Sequence, residues 1–243
     1  MPPEAALALI LLVSGFTMTF AGFGFALVAV PLLSLLLPVK QAVILQFPYC
    51  ATLFFYQAWH YRRHFRRQRL GPLFWGTVAG LLLGAFLLQG LPASLLKRAL
   101  ALFIAAVVIF NALPAGKIFT ARHAGKPWWG GFCGVLSGAF FGAYTIGGPP
   151  AALYIMSVSA TPQEAKSLLA AFFSLQFLLL AVVYGAGGMF SWPLLQTTLL
   201  YSPVVAAGAA AGFWAFARVS NRLYLQVVAG LLLLAALLLW WRA

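Results

Sequence analysis

The chain has 243 residues, of which 64% are apolar and 7% charged, and its formal net charge is +13. Soluble domains carry about 25% charged residues, so this composition excludes an ordinary soluble fold and indicates an integral membrane protein. The two acids, Glu4 and Glu164, leave no basis for carboxylate dyads, Ser-His-Asp triads or acidic cation sites.

A helix needs about 20 mainly apolar residues to cross the hydrocarbon core. Apolar blocks run over 5–37, 41–59, 72–90, 95–113, 128–158, 167–190, 192–217 and 223–241. They predict one all-α, polytopic membrane domain over 1–243, with no soluble module. Without Lys or Arg near its start, the first block reads as a retained helix rather than a secretory signal. Cys50 and Cys133 fall within blocks and read as buried thiols.

The blocks 5–37 and 128–158 are too long for one crossing, roughly 50 and 46 Å at about 1.5 Å per residue. The first is broken at Ala21-Gly22-Phe23-Gly24, with Pro31 beyond; the second at Tyr144-Thr145-Ile146-Gly147-Gly148-Pro149-Pro150. Proline lacks a donor and clashes with the preceding turn, so each block reads as two helical pieces. Irregular backbone at membrane depth persists only where protein or a wet cavity satisfies it.

These blocks resemble each other. Ser14-Gly15 matches Ser137-Gly138 and Gly24 matches Gly147 at one offset of 123. Pro38-Val39-Lys40-Gln41-Ala42 resembles Thr161-Pro162-Gln163-Glu164-Ala165, and Gly80-x-x-x-Gly84 matches Gly208-x-x-x-Gly212 at 128. The order of the matches predicts two repeats, 5–113 and 128–241, each an interrupted block followed by three ordinary ones.

Whether the repeats are parallel or inverted depends on whether each interrupted block crosses or returns. Short cytoplasmic loops are enriched in Lys and Arg. With the basic loop His60–Leu70 inside, the hairpin arrangement puts eleven basic residues inside and four outside; single crossings give nine and six. The count favours an inverted repeat of two hairpins.

Inverted repeats with interrupted helices recur in secondary transporters, with substrate near the midplane where the breaks meet. Helix N-termini there offer N–H groups and a positive dipole end, which suit an anion. The candidate binding residues are Gly22, Gly24, Gly147 and Gly148, which permit close approach, with Thr17, Thr19, Tyr144 and Thr145 as hydrogen-bonding partners. Gln46 and Gln176, within apolar blocks, serve either as pathway lining or as links between helices, as do Gln57 and Ser174. The bland alternative for the breaks is packing glycines and kinks.

The Gly-x-x-x-Gly pairs read as close helix packing, with a homodimer face as the rival. Thr161-Pro162-Gln163-Glu164 has the order of a helix start, which makes Glu164 a cap rather than a proton carrier. The basic loop reads as an orientation signal attracted to anionic lipid, without a nucleic-acid module around it. His60 and His64 lack further metal ligands, so neither metal nor cofactor is expected.

On Ser14-Gly15, Gly22-x-Gly24, Pro31, the partial repeat from Ser137 to Pro150 and the two-half layout, the chain resembles the sulfite exporter TauE/SafE family of bacterial permeases. Phe23 and Phe25 stand where that family is richer in glycine. The resemblance implies a multi-pass protein of the bacterial cytoplasmic (inner) membrane that moves sulfite, organosulfonates or related sulfur-containing or carboxylate anions, often outward. His60, His64 and His123 all lie in basic loops rather than inside the bundle, so no enzymatic activity is expected. A cation or metal transporter and a non-catalytic membrane assembly protein are the competing readings.

Overall fold

The computed structural model describes residues 3–21, 24–65, 70–112, 123, 125–216, 233 and 236–241. Their secondary structure is entirely helical. In chain order the helices are α1 Pro3–Ala21, α2 Phe25–Leu33, α3 Val39–Tyr61, α4 Gly71–Gly90, α5 Ala93–Ala112, α6 Pro127–Tyr144, α7 Gly148–Val158, α8 Pro162–Ala186 and α9 Trp192–Phe216. A 3-10 turn, Arg62–His64, follows α3. The final apolar block lies mostly outside the described residues, and its described stretch 236–241 is helical. Gly71–Gly90, Gln163–Ala186 and Trp192–Ala215 are long and apolar enough to cross a membrane, by length and composition.

Both long blocks are divided at the anticipated places. Pro149 and Pro150, however, lie inside the first turn of α7 rather than in the gap before it. The first turn of a helix accepts proline because its N–H groups have no partner within the helix. Pro31 falls instead in the second half of α2, beyond its first turn.

The chain divides into two compact units, one of residues 1–49, 91–109 and 190–243 and the other of 50–90 and 110–189. In the first, α1 packs on α9. A Cβ on Gly208 would collide with the Leu12 carbonyl, and one on Gly212 with the Phe16 carbonyl. Four residues along one helix match four along the other, so the two run parallel. Gly15 makes the reciprocal approach, its missing Cβ lying 2.7 Å from the Val205 oxygen. The Thr19 hydroxyl donates to the Ala209 carbonyl at 2.8 Å across the same contact.

The second unit repeats the device more fully. Gly76, Gly80 and Gly84 of α4 press on the carbonyls of Gly131, Val135 and Ala139. In return, Gly134, Gly138 and Gly142 of α6 press on Leu73, Thr77 and Leu81. The helices are parallel and meet backbone to backbone over three turns, a spacing only glycine permits. The Thr77 hydroxyl adds a hydrogen bond to the Gly134 carbonyl at 3.2 Å. From sequence, only Gly80 and Gly84 stood out as a packing pair in this unit; their partners on α6 did not.

Within this unit α7 folds back along α6. Gly147 lies against Ser137 and Phe141, while the Tyr154 ring lies against Gly130 near the start of α6. Ser137 fixes the return by donating to the Gly147 carbonyl at 2.8 Å. Phe141 of α6 packs its ring on Phe173 and Phe177 of α8, and Phe54 of α3 packs on the same two rings.

Helix α8 begins as its sequence requires. Thr161 accepts the Glu164 N–H at 3.2 Å, and Glu164 Oε2 accepts the Ala160 N–H at 3.0 Å. This is a capping box displaced by one residue at its return bond, and it accounts for one of the two acids in the chain.

Two outcomes follow. Gly138→Ala places a methyl against the Thr77 carbonyl, where nothing flexible can yield, and lowers stability by about 1–3 kcal/mol or more. Gly131→Ala, about two turns away with open space around it, is neutral or raises stability by up to about 1 kcal/mol. Thermal denaturation of the two purified variants checks the contrast. Glu164→Gln keeps an acceptor for the Ala160 N–H and changes stability by less than about 1 kcal/mol, whereas Glu164→Ala loses the return bond of the cap, which thermal denaturation also checks.

Candidate functional site

Each unit contains a helix that starts in the middle of an apolar stretch. In the first unit α1 ends at Ala21 and α2 begins after Gly24, whose φ of 109° is a left-handed conformation suited to glycine. Gly22 lies outside the described residues. Gly24 caps α2 without any side-chain hydrogen bond, and its carbonyl accepts the Val28 N–H at 3.2 Å. The Thr17 methyl faces Gly24, 3.3 Å from where a Cβ would stand, and the Thr17 hydroxyl donates to the Val13 carbonyl at 2.8 Å. Thr19 is committed instead to the contact with α9. Gln46 is buried on α3 and donates to the Val43 carbonyl at 3.1 Å.

In the second unit α6 ends on Thr145, which adopts φ 57° and is the one non-glycine with positive φ among the described residues. Its N–H donates to the Phe141 carbonyl at 2.7 Å, the left-handed way of closing a helix. A β-branched residue resists this conformation, at a cost of order 1–3 kcal/mol. The Thr145 hydroxyl donates to the Tyr144 carbonyl, and the Tyr144 ring stacks on Phe140. Gly147 caps α7 without a side-chain bond; its missing Cβ would stand 2.7 Å from the Ser137 carbonyl. Close packing thus explains Gly147 directly. Gly148 opens the helix itself, in a half-buried position.

The two helix starts differ chemically. The first turn of α2 presents Phe25, Ala26 and Leu27, each with an N–H, whereas in α7 Pro149 and Pro150 have none. Neither start has an acidic residue in its first turn. Both carry the positive end of a helix dipole, but α2 is much the richer in donors.

Gln176 on α8 is the most unusual polar group of the second unit. It is 1% exposed, and neither its amide nitrogen nor its oxygen has a hydrogen-bond partner among the described residues. Ser174 Oγ is in the same condition. Leaving a buried polar group unpaired costs about 1–3 kcal/mol. Of the predicted residues, Thr17, Thr19, Gly24 and Gln46 belong to the first unit, and Tyr144, Thr145, Gly147, Gly148 and Gln176 to the second. Within them, Thr17 meets Gly24, while Ser137, picked out from sequence only as a repeat marker, secures the second break.

The described residues are helical, three of their helices are long and apolar enough to cross a membrane, and two helices start in the interior of apolar stretches, which is the make-up of an integral membrane protein. Residues 7–239 match the family described as sulfite exporter TauE/SafE, and the chain belongs to that family. No curated protein and no solved structure matches the chain.

Gln176→Leu removes two unpaired polar groups at nearly constant volume. Thermal denaturation then shows a gain of about 1–3 kcal/mol, while anion flux in proteoliposomes falls at least tenfold. Unchanged flux in the stabilised variant would make Gln176 a purely structural orphan.

Proposed function

We propose that the protein is a secondary transporter of small anions, sulfite, organosulfonates or related sulfur-containing or carboxylate anions. It works as an exporter in the bacterial cytoplasmic membrane, with the substrate held between the two helix breaks near the bilayer midplane. Membership of a sulfite exporter family supports the substrate class. The observation that carries the site is the pair of helix starts, at Gly24 and Gly147, with no side-chain cap and no acid in the first turn.

The proposal includes two inverted repeats, each a hairpin followed by three crossing helices. Gly15 and Gly138, matched between the halves, each pack on a helix that bears the Gly-x-x-x-Gly pair of the other half. The return of α7 along α6 supports the hairpin, since Tyr154 comes back to the level of Gly130. The turn Arg62–His64 also meets α8, and the Lys166 ammonium lies 5.9 Å from the centre of the Tyr61 ring. These contacts put the start of α8 at the basic end of α3, the side expected for a block that returns. A block that crossed once would begin α8 at the opposite face.

The driving force requires no carboxylate. An inside-negative potential favours outward movement of one negative charge by about 2.3 kcal/mol per 100 mV. Preorganised N–H groups can replace part of the hydration shell of an oxyanion without a fixed positive charge, which keeps binding weak enough for release.

The reading predicts saturable sulfite or sulfonate flux in proteoliposomes, accelerated by an inside-negative potential. Gly24→Ala strains the left-handed cap and narrows the approach to α2, and reduces that flux at least tenfold. Full flux through a correctly folded Gly24→Ala protein would remove the first break from the site.

A further inference from the structure

One end of the second unit gathers cations from separate parts of the chain. His60 closes α3, Arg62, Arg63 and His64 form the turn after it, and Lys166 lies near the start of α8. The turn and α8 are in contact, which puts the two basic segments side by side. The starts of α4 and α6 meet a few residues away, where Gly130 touches Pro72, and Lys126 immediately precedes α6. Among the described residues of this end the one acid is Glu164, whose Oε2 accepts the Ala160 N–H.

Two of these cations lie over aromatic rings. The Arg62 guanidinium lies 4.1 Å from the centre of the Trp59 ring and donates to the Trp59 carbonyl at 2.9 Å. Lys166 lies over Tyr61, two residues further along the same helix end. Trp59 is 68% exposed and Trp75, near the start of α4, is 71% exposed. Exposed Trp beside cations at the end of a membrane helix marks the headgroup level of a bilayer.

A general preference of basic loops for the cytoplasm needs neither this convergence nor these ring contacts. Arg62 comes from the turn after α3 and Lys166 from α8, and each lies over an aromatic ring of the last turn of α3. We propose that this place binds the headgroup of an anionic phospholipid, with the phosphate received by Arg62 and Lys166 and the acyl chains descending along the exposed Trp59 face. A guanidinium offers two parallel donors to phosphate oxygens and an ammonium a point charge, which together suit a phosphodiester. Each basic residue near an anionic surface contributes about 1 kcal/mol, equivalent to about fivefold in affinity.

The test uses the purified full chain in neutral detergent, titrated with dioleoylphosphatidylglycerol or dioleoylphosphatidylcholine and followed by thermal denaturation and native mass spectrometry. The anionic lipid raises Tm and is retained in the gas phase, and the zwitterionic lipid does neither. Arg62→Gln with Lys166→Gln weakens the apparent affinity at least tenfold. Lys97→Gln with Arg98→Gln, in the other unit, leaves it unchanged. Arg62→Lys with Lys166→Arg preserves the charges and most of the response, which separates lost binding from faulty folding. An undiminished response in the double Gln variant overturns the proposal. So does an equal Tm shift from glycerol phosphate at the same concentration, because that would assign the site to a free phosphate.

Discussion

The backbone contact between parallel glycine-lined helices is the interaction on which the rest of each unit depends. In a bilayer the apolar faces of two helices gain little by leaving lipid for each other, so association relies on close packing and on hydrogen bonds across the contact. Here α4 and α6 meet at glycine after glycine, and α1 meets α9 at Gly15, Gly208 and Gly212. The contact also sets the level of the breaks. On α6 it runs up to Gly142, three residues before Thr145 leaves the helix; on α1 it runs to Thr19, two residues before the helix ends. Each interrupted helix is held to its last turn and then released.

That placement gives the helix starts their chemical meaning. Fixed donors at membrane depth are useful only if their positions are preorganised, because a mobile dipole must be reoriented for each ligand. The clamp, the Ser137 bond to Gly147 and the left-handed cap at Thr145 hold the second break. Gly24 and Thr17 shape the first. Pro149 and Pro150 remove donors from the α7 start, so in the proposed site the α2 start would be the richer source of N–H groups for an oxyanion.

Much of this was legible in the sequence. Hydropathy placed the helices because a continuous apolar run of membrane length has few other solutions, and the Thr161–Glu164 spacing announced the start of α8 through local hydrogen bonds alone. Glycine and proline pairs announced both breaks. What stayed hidden depends on which residues meet across long separations. Gly134, Gly138 and Gly142 are recognisable as one face of a contact only once α4 is beside them. Thr19, a candidate ligand from its position, turns out to bond the Ala209 carbonyl 190 residues away. The isolation of Gln176 is equally a tertiary property, since a glutamine in an apolar run finds a partner in most packings.

The central claim is that an anion is handled by backbone at two helix breaks, without a fixed charge from a side chain. Current recorded from proteoliposomes on a solid-supported membrane after a sulfite jump tests it most directly. Wild type gives a saturable, sulfite-dependent current that is lost in Gly24→Ala and retained in Gly131→Ala. A current of equal size in all three proteins, or none from folded wild type with any small sulfur or carboxylate anion, would contradict it.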